Sequence, residues 1–114
     1  MHAHDRIRIR HMREAAGEAI ELSRGRARAD LDVNRGLVLA LVKAVEIVGE
    51  AGRGATQPTR DQLPRIPWTP MVHMRHRLVH EYFRINLDVL WQTVQEDLPQ
   101  LIGLLDEALQ EDAP

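Results

Sequence analysis

Residues 34–51 read NRGLVLALVKAVEIVGEA. Asn34 suits the cap of a helix, because its side chain can accept from the amides of the first turn. From Leu37 onward the stretch is almost entirely Leu, Val, Ile and Ala. At helical spacing Leu37, Val38, Leu39, Ala40, Leu41, Val42, Ala44, Val45, Ile47 and Val48 cover most of the circumference, so the helix is expected to be buried on more than one side. Lys43, Glu46 and Glu50 form the one polar stripe, at spacings of three and four that surface solvation explains. Gly49, Gly52 and Gly54 are expected to close the helix. In so short a chain, one of the apolar sides is expected to meet a second subunit.

Working outward, residues 5 to about 23 read as a first helix, with Ile9, Met12, Ala16, Ala19, Ile20 and Leu22 at near-helical spacing and Gly25 as its stop. Residues 26–32 read as a connector. Residues 53–67, with Pro58, Pro64 and Pro67, read as a loop holding a turn of helix at 59–63. Thr69 as cap and Pro70 at the first helical position open a third helix to residue 80 or 82. Asn86 begins a last long helix, residues 87 to about 111, whose stripe is Leu87, Leu90, Trp91, Val94, Leu98, Leu101, Ile102, Leu105 and Leu109. Pro99 is expected to bend or split it after Asp97. The fold class is therefore all-α, an antiparallel bundle of four to five helices forming one domain over residues 1–114.

Composition bounds the function. The 114 residues, 44% apolar and 4% aromatic, support one modest core. The absence of cysteine excludes disulfides, thiol nucleophiles and thiolate metal sites, and fits a cytoplasmic location. No apolar run approaches the ~18 residues of a membrane span, and residues 1–6 lack the apolar stretch of a signal peptide. Charge is unevenly spread: residues 1–28 carry net +3, residues 29–85 net +2 and residues 86–114 net −7. The first two segments can meet an anion while the acidic tail faces away or meets a basic partner.

The densest polar cluster is residues 71–84, MVHMRHRLVHEYFR, with three His, three Arg, one Glu and one Tyr. His exchanges protons near neutral pH, and Arg presents a fork of donors matched to phosphate. Together they suit phosphodiester cleavage by proton transfer and charge neutralisation, although structural His and solvated Arg are the commoner use of such residues. On one helix Arg75 and His80 lie about 140° apart. A helix end fraying after Val79, or a cleft shared across a two-fold axis, would bring them together. A metal site is the rival reading, since His76 and His80 are four apart. His73 lies about 10.5 Å of helix rise from His80, too far to share an ion with it, and no nearby Asp or Cys completes a set.

Arg75-His76-x-x-x-His80 resembles the R-polar-x-x-x-H motif of HEPN domains. Its extension to Tyr82 gives Arg-x4-His-x-Tyr, which is similar to the signature of HepT-like toxins. The resemblance continues through residues 5–12, residues 40–51, Ile66-Pro67-Trp68, Asn86-Leu87-Asp88-Val89-Leu90-Trp91 and Glu96-Asp97-Leu98-Pro99, and covers roughly residues 5–105. His76 departs from the Asn more usual in HepT-like sequences, but His is an accepted variant of the wider motif.

The resemblance implies a metal-independent endoribonuclease with no cofactor, the homodimeric toxin of a type VII toxin–antitoxin module. It implies catalytic roles for Arg75, His80 and His76, RNA binding by Arg77 and Arg84, and Tyr82 as the acceptor of AMP from an MntA-like nucleotidyltransferase antitoxin. The alternative is a non-catalytic HEPN module that only binds a nucleotidyltransferase.

Overall fold

The computed structural model describes residues 1–81 and 84–112. The chain is all-helical over these residues. Its elements are α1 (Ala3–Ser23), α2 (Asp30–Val33), α3 (Arg35–Arg53), α4 (Gln57–Gln62), α5 (Trp68–His80), α6 (Leu87–Gln92), a π-helical turn (Thr93–Asp97) and α7 (Leu98–Glu111).

The two longest helices, α1 and α3, pack side by side, with α7 against the other flank of α1 and α5 against α3. On α1 the buried stripe is Ile9, Met12, Ala15, Ala16 and Ala19, and its alanines permit close helix approach. Leu41 of α3 and Leu105 of α7 join Ile9 and Met12 among the fully buried side chains. Removal of this apolar area from water is the main force holding the bundle together.

The helix ends follow local chemistry. Asn34 Oδ1 accepts from the Leu37 amide at 3.0 Å, and Asn86 Oδ1 accepts from the amides of Asp88 and Val89, so two free first-turn donors are satisfied at α6 and one at α3. Gly25 has φ of 73° just past α1, a left-handed conformation that glycine adopts without a Cβ clash.

Three expectations need correction. The connector at 26–32 runs into the short helix α2, within which Asp30 Oδ2 accepts from the Ala27 amide. Thr69 is not a cap: α5 begins one residue earlier, at Trp68, and Pro67 precedes it without a side-chain cap. Pro70 is still in the first turn, where a missing N–H leaves no bond unmade. Gly49 and Gly52 lie inside α3, and only Gly54 stands at its end. The last helix is interrupted after Asp97, as expected at Pro99: a π-helical turn (Thr93–Asp97) separates α6 from α7. The π-helical turn ends just before Leu98-Pro99, so the shift from i−4 to i−5 bonding falls where proline removes a donor.

Two polar clusters fix the start of α5. Asp5, buried in α1, accepts from the Thr56 amide at 2.9 Å, the Thr56 hydroxyl at 2.6 Å and the Thr59 hydroxyl at 2.7 Å. Arg60 donates to the carbonyls of Gly52, Arg53 and Ala55 at the end of α3, and its guanidinium lies 5.8 Å from the centre of the Trp68 ring. Trp68 Nε1 in turn donates to Leu63 O at 3.0 Å. The ends of α3, α4 and α5 are thereby tied to one another and to α1.

Four of the seven acids in the C-terminal segment find bases within the chain. Asp106 pairs with Arg13, Asp112 with Arg6, Glu107 with Arg65 and Asp88 with Arg28. No helix among the described residues is long and apolar enough to cross a membrane.

Candidate active site

α5 carries most of the candidate site. Trp68 and Leu78 are buried, Met71 and Met74 are half-buried against the core, and His73, His76, Arg77 and His80 are exposed. Helical spacing puts His76 and His80 one turn apart, and their rings meet with centroids 4.4 Å apart, tilted by 48°. The helix holds through His80 and ends at Glu81, whose amide donates to Arg77 O at 2.8 Å. It does not fray after Val79, so one of the two ways of bringing Arg75 to His80 is absent.

Arg75 lies on the α3 side of α5. A Cβ on Gly49 would collide with Arg75 Cβ and stand 2.8 Å from Met71 O. The two helix backbones therefore cross in near contact at Gly49, and this contact sets the root of the Arg75 side chain. Arg75 is 24% exposed, and its Nε stands 3.0 Å from Glu50 Oε2. That Nε is buried but not aligned for a hydrogen bond, so the pair is held by charge alone. Glu50 also stands 3.7 Å from Arg53 Nη1. Reading Glu50 only as part of a solvated stripe missed this contact; the signal available was a glycine followed by an acid inside an otherwise apolar helix.

Arg77 and Arg84 line one shallow cleft, with Glu81 between them and Met74, Leu78 and Leu90 as its floor. This cleft opens between the end of α5 and the start of α6, away from the face on which Arg75 meets α3. Tyr82 lies outside the described residues. Among the described residues no group of three or more His, Cys, Asp or Glu is placed to hold a metal ion.

A cavity of about 450 Å³ lies behind α5, bounded by Val45, Val48, Met71, Met74, Leu101 and Leu104. It contains none of Arg75, His76 or His80. Its ionisable lining is Arg65 and Asp97, and burial, with the charge of Glu96, pushes the Asp97 carboxyl up.

The arrangement can exchange protons at the His76–His80 pair and neutralise an anion at Arg75. Comparisons with known proteins identify the family. The family model described as "Ribonuclease HepT-like" matches residues 12–108. A probable ribonuclease HepT of Thermococcus cleftensis is 37% identical over 82% of this chain and 89% of its own length. A Methanocaldococcus jannaschii protein provisionally named an RNase is 35% identical over 77% of this chain and 81% of its own. Another such protein, from Caldanaerobacter subterraneus subsp. tengcongensis, is 30% identical over 91% and 93%. No solved structure matches the chain. The family match spans the helices that carry Arg75, His76 and His80, so the chain belongs to the ribonuclease HepT-like family.

Proposed function

We propose that the protein is a metal-independent endoribonuclease, the toxin of a type VII toxin–antitoxin module acting in the cytoplasm. His80 serves as general base or acid at the ribose 2′-hydroxyl or the leaving oxygen. Arg75 neutralises the charge that builds on the phosphorane-like transition state, and His76 orients the phosphate or shares the proton transfer. Arg77 and Arg84 supply backbone-binding charge. The observation that carries this reading is the exposed His76–His80 ring pair, on the same helix as Arg75 and within the stretch that the family match covers.

Arg75 and His80 diverge around one continuous helix, which favours a cleft shared by two copies of the chain. Leu39 and Ile47 support a homodimer, because they remain 48% and 36% exposed on α3. Tyr82 is the proposed switch. An MntA-like nucleotidyltransferase joins its phenolic oxygen to the α-phosphorus of ATP and releases pyrophosphate. The attached AMP then fills the cleft two residues from His80 and repels RNA phosphate.

The test is incubation of the purified protein with tRNA and mRNA in the presence of EDTA. Cleavage by the wild type is expected, with a loss of about 10²–10⁴-fold in His80→Ala. His80 is exposed, so the variant should fold normally. No cleavage by the wild type, or equal cleavage by the variant, refutes the enzyme reading and leaves a binding module.

A further inference from the structure

We propose that Glu50 is the positioning residue for Arg75, holding the Nε edge of its guanidinium so that the Nη edge faces the phosphate; this rests on the reading of Arg75 as the phosphate-facing group. The other ion pairs of the α3 stripe are long, Lys43–Glu46 at 3.6 Å and Arg53–Glu50 at 3.7 Å, each with an exposed base, and solvation accounts for them. The Arg75–Glu50 pair differs in two respects. It is shorter, at 3.0 Å, and its nitrogen is buried.

Gly49 and Glu50 act on Arg75 at two points. The bare backbone of Gly49 fixes where the side chain starts, because any Cβ there would strike Arg75 Cβ. The neighbouring carboxylate attracts the far end and selects its rotation. Arg offers a bidentate anion two distinct edges, and a carboxylate at Nε leaves the pair of terminal nitrogens for the ligand. Among the described residues those terminal nitrogens make no hydrogen bond. The side chain of Glu50 is 53% exposed, so the bundle does not depend on it.

A carboxylate near the path of RNA opposes binding, so its contribution should lie in orientation and appear in kcat. Glu50→Ala is expected to lower kcat by about ten- to a hundredfold, with KM for RNA unchanged or reduced and the melting temperature unchanged. Glu50→Gln, which keeps the shape but removes the charge that holds the pair, should lower kcat as Glu50→Ala does. Nitrogen-edited NMR of the arginine Nε–H groups gives a readout independent of cleavage. The wild type should show an Arg75 signal displaced by the neighbouring carboxylate, and Glu50→Ala should move it. A kcat within about twofold of the wild type in Glu50→Ala, or an unchanged Arg75 signal, overturns the proposal. Absence of cleavage by the wild type would instead sink the ribonuclease reading, and the NMR comparison would still decide what Glu50 does.

Discussion

Asp5 shows how much a single residue can contribute without being visible in the sequence. Burial by itself pushes its carboxyl up, but the hydrogen bonds from Thr56 and Thr59 outweigh that and hold it below its ordinary value. Its partners lie more than fifty positions away, a separation that no local pattern reveals. A carboxyl depressed in the folded state stabilises above its unfolded pKa of about 3.9, and that contribution fades as pH falls through the lower folded value. Asp5→Ala should cost about 3 kcal/mol at neutral pH by leaving buried donors unpaired. Thermal melts of both proteins as a function of pH check this, and the gap between them should narrow below about pH 4. Arg75, His76 and His80 stand out in the sequence as candidates through the resemblance to the family motif, since residue type and spacing alone favour ordinary surface roles. The contact between Arg75 and Glu50 does not show there, because it needs the crossing of two helices.

At the scale of elements, periodicity located the long helices and Asn34 and Asn86 marked their starts, since both signals are local. What local signals misread was the role of glycine. Gly49 and Gly52 look like a stop, yet both are packed inside α3, with Arg75 and Met71 against Gly49 and Met71 and Met12 near Gly52. Gly49→Ala should push α5 away from α3, destabilising the fold by about 1–3 kcal/mol and reducing cleavage through displacement of Arg75. Gly103 in α7 is the control. A Cβ there meets nothing within 4 Å, so Gly103→Ala should stabilise by about 0.5–1 kcal/mol through helix propensity alone. Chemical denaturation of the two variants checks both signs.

The whole molecule balances its charge internally. Three acids of the C-terminal segment pair with α1 and its flanks, away from the histidines of α5 that the proposed function assigns to RNA. Sequence showed the charge asymmetry but not its partner, because pairing between the first and last helices is set by packing. The proposed function builds one nuclease centre from Arg75 of one copy and His80 of the other. Two inactive variants, Arg75→Ala and His80→Ala, test it when they are unfolded together, refolded and assayed on RNA. Random pairing puts one intact centre in each mixed dimer, so about a quarter of wild-type cleavage should return. A mixture that forms mixed dimers yet stays as inactive as either variant alone, beside an active wild type, would contradict the shared centre.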